Sequence, residues 1–123
     1  MRKFALVLLS GALALTTPAA QGHSALVTST PKSGAVIKTF PKTFSLTFNE
    51  EILKLPGKEP SRVQLIAHNS KRISLGKVVI AKEVLTVPMS KAAVKAGKYR
   101  LTYRVVSNDG HVISGEISFT YKP

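Results

Sequence analysis

Tyr99-Arg100-Leu101-Thr102-Tyr103-Arg104-Val105-Val106 and Val112-Ile113-Ser114-Gly115-Glu116-Ile117-Ser118-Phe119-Thr120-Tyr121 are two apolar runs, broken by Ser107-Asn108-Asp109-Gly110-His111. Both runs have strand length and strand composition, and the break between them has the residues of a turn. Gly110 has no Cβ, so the chain can bend there or admit another backbone closely. The break also sets a carboxylate and an imidazole two residues apart. An extended backbone would point Asp109 and His111 to one face of a strand. Taken alone, Asp-x-His reads as a strand-end turn with an exposed histidine.

Upstream, the chain repeats the same grammar. Ser24 to Thr30 alternates loosely and stops at Pro31, and Lys32-Ser33-Gly34 is turn chemistry. In Thr43-Phe44-Ser45-Leu46-Thr47-Phe48-Asn49, Phe44, Leu46 and Phe48 alternate with polar residues, the clearest half-buried strand in the chain. Glu50 then falls badly on the polar parity of Ser45, Thr47 and Asn49, which predicts a local bend that re-aims it. Arg62 to Ala67 reads as a strand with Val63, Leu65 and Ala67 on one face. A polar turn containing His68 follows, then short runs at Ile73–Leu75, Val78–Ile80 and Val84–Pro88. Ser90 to Ala96 reads as a helical turn or a loop, ended by Gly97. Seven or eight short strands, frequent turns and no sustained helical period predict an all-β domain, an antiparallel β-sandwich or barrel.

The N-terminus reads as an address. Arg2 and Lys3 precede an almost wholly apolar run, Phe4 to Leu15, and small or polar residues follow to Gly22. That is the layout of a cleaved secretory signal peptide over residues 1–22, and the run is too short to span a bilayer, which takes about 20 residues. Small residues at −3 and −1 fit cleavage after Gly22, with Ala20 and Gly22, or after Ala20, with Pro18 and Ala20. Proline at −3 is awkward, so the first frame is favoured, and the domain is expected over residues 23–123 with His23 at its head. An N-terminal histidine offers its α-amine and its ring Nδ1 together, a pair that can chelate one metal. Amine, imidazole and carboxylate donors suit Cu(II) in tetragonal geometry, and copper tops the divalent affinity series. His23 therefore changes the weight of Asp109 and His111.

Removal of residues 1–22 leaves 101 residues, one small domain. There is no cysteine, which excludes disulfides, thiolate metal sites and dithiol redox chemistry. Without Arg2 and Lys3, 16 basic residues face 6 acidic ones, a net charge of +10. Such charge attracts polyanions or anionic membrane surfaces, or merely solvates a surface. The lysines and arginines are scattered in ones and twos without interleaved aromatics, which favours the solvated surface and argues against nucleic acid. A basic surface also repels free cations, so a metal here calls for a buried, specific site.

His23-Ser24-Ala25-Leu26-Val27-x-Ser29-Thr30-Pro31, Leu46-x-Phe48-Asn49-Glu50, and Gly97-x-Tyr99-x-Leu101-x-Tyr103-Arg104-Val105-Val106-Ser107-x-Asp109-Gly110-His111-x-Ile113-x-Gly115 closely resemble the CopC copper-resistance family. The likeness runs through residues 23–123 in order. It implies a Greek-key, cupredoxin-like (immunoglobulin-like) β-sandwich and a monomeric periplasmic copper carrier. It implies one Cu(II) per chain on His23, Asp109 and His111, with Glu50, at the family's Phe-x-Glu position, beside it. It also raises an inner-membrane copper transporter of the CopD type as a partner. Some members hold Cu(I) in a Met-rich loop, but Leu55 to Arg72 contains no methionine and Met89 is the only one after residue 22. Cu(I) wants soft ligands, so the chain resembles the Cu(II)-only type, with His68 exposed and uninvolved.

Two other classes compete. A copper oxidase or monooxygenase could use an N-terminal histidine with a second histidine, but it needs an open, aromatic-rich substrate face. This chain has no tryptophan and three tyrosines, of which Tyr99 and Tyr103 fall at alternating strand positions. An aspartate ligand would also hold copper as Cu(II). An immunoglobulin-like structural module explains the fold and leaves the three-residue set a coincidence. A non-catalytic copper binder is the expectation.

Overall fold

The computed structural model describes residues 25–123. The expected signal peptide and His23 lie outside the described residues. Nine strands form: β1 (Leu26–Thr30), β2 (Ala35–Ile37), β3 (Thr43–Phe48), β4 (Arg62–Ala67), β5 (Arg72–Ile73), β6 (Val79–Ala81), β7 (Val84–Pro88), β8 (Gly97–Val106) and β9 (Val112–Tyr121). They pair into a four-stranded sheet, β1-β3-β7-β6, and a five-stranded sheet, β2-β9-β8-β4-β5. Hairpins β4–β5, β6–β7 and β8–β9 stay within a sheet, and the other connections cross between sheets. The result is the expected Greek-key β-sandwich.

Alternation decides the core. Phe44, Leu46 and Phe48 of β3 face inward, as do Leu85 and Val87 of β7. They meet Leu65, Tyr99, Leu101, Val105, Ile117 and Phe119 from the other sheet. Phe40 sits between the sheets at one end, edge-on to Phe44, Tyr99, Phe119 and Tyr121. Phe48 meets Tyr103 at the other, with ring centroids 5.6 Å apart. These contacts fix the two sheets in the same sense, so the molecule has a Phe40 end and a Phe48 end.

The structure refines three expectations. The sheets are not wholly antiparallel: β2, unanticipated because it is three residues long, pairs parallel with β9. Ser90 to Ala96 forms no helix, and Tyr99 pins it by exchanging hydrogen bonds with the backbone N–H and C=O of Lys95. The loose alternation of β1 has a cause, since Leu26 pairs with Phe48 but Thr28 pairs with Thr47. The intervening Val27 is a bulge, and it is exposed.

Candidate metal centre

The β8–β9 connection is a turn, not extended backbone, and Gly110 takes φ +84°. That left-handed conformation is where glycine costs least. The turn is sewn shut by Ser107, whose side chain is almost fully buried. Its N–H donates to the His111 carbonyl (2.9 Å), its carbonyl accepts from Gly110 N–H (2.9 Å), and its Oγ accepts from His111 N–H (3.2 Å). Asp109 and His111 therefore converge by turning rather than by sharing a strand face, with His111 Nδ1 3.7 Å from Asp109 Oδ2. Their side chains are 61% and 58% exposed, and an exposed pair at this distance stabilises little. Backbone hydrogen bonds hold the turn.

Glu50 arrives from across the sandwich. The strand β3 ends at Phe48, and residues 49–50 bend, as the broken parity predicts. The next residues lace onto the turn. Asn108 N–H donates to the Glu51 carbonyl (3.0 Å), and Asn108 Nδ2 donates to Glu51 Oε2 (3.0 Å). Ile52 bridges Ser107, and Leu53 N–H donates to the Val106 carbonyl. Glu50 is thereby carried to the turn, and ligand atoms of Glu50, Asp109 and His111 lie within 4.8 Å of one another. Donors of one first-row ion, bound at about 2.0–2.2 Å, sit about 3–4 Å apart. Glu50 thus groups with Asp109 and His111 in a cluster that could hold an ion.

The site is not buried as the charge argument required. Glu50 is half-buried and the other two are exposed. The premise fails locally: Glu50, Glu51, Glu83 and Asp109, four of the chain's six acids, gather at this end. A cation approaching the cluster meets these carboxylates, although Lys82 also sits at this end. Tyr103 lies across from Gly115 on β9 and packs on Phe48, and burial raises its phenol above the ordinary value.

Asn49 adds what sequence reasoning missed. Its N–H donates to the Ala25 carbonyl (3.0 Å), and Ala25 N–H donates to Asn49 Oδ1 (2.7 Å). The first described residue is thus tied on both sides next to Glu50. His68 is exposed in its turn, at the far end of β4.

Comparison with known proteins agrees with this architecture. The CopC domain family model matches residues 26–122. The chain is 30% identical over 132 aligned positions to "Copper resistance protein C" of Xanthomonas campestris pv. juglandis, covering 98% of this chain and 97% of that one. The crystal structure of CopC from Methylosinus trichosporium OB3b superposes with a TM-score of 0.68 at 26% identity, over 82% of this chain and 95% of that one. PcoC, described as a methionine-rich copper resistance protein from Escherichia coli, gives 0.67 at 25% identity, over 81% and 99%. With the sandwich, the three-donor cluster and a family match over nearly the whole described domain, the chain belongs to the CopC family.

Proposed function

We propose that this chain is a periplasmic Cu(II)-binding protein that carries or sequesters one copper ion, without catalysis, through His23, Glu50, Asp109 and His111. The observation that carries the reading is the double tie between Ala25 and Asn49. His23 stands two residues before Ala25, a reach of at most about 7 Å at 3.3–3.6 Å per residue. The tie anchors Ala25 one residue from Glu50, which supports His23 as the donor that joins the Glu50–Asp109–His111 cluster. Two carboxylates beside nitrogen donors favour Cu(II) over Cu(I), which supports carriage over redox turnover. Relatives named as copper resistance proteins point the same way. Unlike the methionine-rich PcoC, this chain offers Met89 as its only thioether after residue 22. The protein works as a monomer after export, and an inner-membrane copper transporter of the CopD type is the natural donor or acceptor.

Titration of the processed protein with Cu(II) and, separately, Cu(I) tests this. One tight Cu(II) equivalent is expected, lost in His111→Ala and in Asp109→Ala, with a weak tetragonal spectrum and no matching Cu(I) equivalent. A second, equally tight Cu(I) equivalent would overturn the single-site reading and bring back His68 and Met89.

A further inference from the structure

The lysines that the sequence scatters are gathered by the fold. Gly97 pairs with Tyr121, Ala67 with Tyr99 and Thr43 with Pro88, so these strand ends share the Phe40 end of the sandwich. The loops there carry Lys38, Lys42, Lys71, Lys91, Lys95 and Lys122, all exposed. Backbone hydrogen bonds hold several of them in place: Lys122 N–H to Ile37 O, Met89 N–H to Lys42 O, and Ala67 N–H to Lys71 O. No acid lies among them. Glu50, Glu51, Glu83 and Asp109 are at the opposite end, Glu59 precedes β4 on that same side, and Glu116 is mid-strand opposite Thr102, paired with Arg100. The ten-residue strands β8 and β9 separate the two ends by about 30 Å, at about 3.3 Å per residue. Charge is therefore uneven along the molecule: the lysine end carries no acid, whereas the end with the candidate metal cluster mixes its acids with Lys54, Lys58 and Lys82.

We propose that the lysine end docks the protein on a bilayer bearing acidic phospholipids, leaving the Glu50–Asp109–His111 end facing away. The type of cation decides between a bilayer and an acidic protein. Specific protein interfaces deplete lysine and use arginine and aromatic anchors. Here six lysines on four segments outnumber one exposed arginine, Arg72, and lysines are flexible, hydrated point charges, suited to a fluid layer of phosphates that imposes no fixed geometry. Between the 68–71 turn and the 91–96 segment is a hollow of about 370 Å³ whose lining includes His68, Lys71, Arg72, Lys91, Lys95 and Tyr99. Its cationic rim suits a headgroup phosphodiester.

The test is co-sedimentation of the exported, metal-free protein with vesicles of phosphatidylcholine, alone or mixed with phosphatidylglycerol. Because no copper is present, the result does not depend on the copper reading. Binding is expected to the mixed vesicles only, and to fall as salt rises. Lys91→Gln and Lys95→Gln should lower partitioning by about fivefold each. Lys54→Gln and Lys58→Gln remove equal charge at the other end, well beyond a screening length of about 8 Å, and should change little. Equal binding to pure phosphatidylcholine would overturn the proposal, as would equal losses from the two lysine pairs. So would capture by soluble polyglutamate without vesicle binding, which would point to an acidic protein instead.

Discussion

Asn49 is the residue on which the proposed centre turns, although it offers no donor in the cluster. Its two bonds to Ala25 anchor the described start of the chain next to Glu50, and the proposed chelate depends on that anchor. Supporting groups of this kind typically change metal affinity by about 10–100-fold. Asn49→Ala should weaken Cu(II) binding by that order in a chelator competition, with the fold retained; unchanged affinity would remove Asn49 from the account. The adjacent carboxylates should separate cleanly. Glu50→Gln removes a charged donor and should weaken binding and alter the copper spectrum. Glu51→Gln keeps a carbonyl oxygen for Asn108 Nδ2 and should do neither. Equal, negligible effects from both would return Glu50 to an ordinary surface acid.

The hairpin β8–β9 does at the level of elements what Asn49 does at one residue, because it carries two donors on one turn and forms the spine of its sheet. Its register requires Gly115. A Cβ there would run into the Tyr103 hydroxyl and lie 2.7 Å from its Cζ, while Tyr103 packs on Phe48. Gly115→Ala should therefore cost about 1–3 kcal/mol as overpacking, read as a lower denaturation midpoint, and Tyr103→Leu in the same chain should recover part of it. If Gly115→Ala leaves the midpoint unchanged, the ring has room that the register denies. Elements with local signals were legible: β3 by strict alternation, β4 by its bounds, β8 and β9 by their length and the intervening turn. The strand β2 was not, because three residues carry no period and its partner Phe119–Tyr121 is remote in sequence. Asp109 and His111 were legible because they share a turn. Glu50 was placed by family resemblance and a broken parity, and its joining the cluster depends on the lacing of residues 51–53 to the hairpin, which leaves no local signature.

At the scale of the whole molecule, the proposed centre draws on three distant pieces of chain: the head of the processed protein, the bend after β3 and the β8–β9 turn. A ligand that binds only this assembled state should stabilise it. One equivalent of Cu(II) should raise the melting temperature of the processed protein and do so far less for His111→Ala; equal stabilisation of both would place copper elsewhere. The α-amine at the head is the boldest element. An α-amine titrates at about 7.7–8.0 and must lose its proton to bind, so Cu(II) uptake near neutrality should release protons and weaken as pH falls. The most direct measurement is Cu(II) affinity after a single glycine is placed before His23, which keeps every side chain and turns the amine into an amide. A fall of several orders of magnitude is expected, comparable to His23→Ala, with melting of the metal-free protein unchanged. Undiminished affinity with the same copper spectrum would contradict the N-terminal chelate.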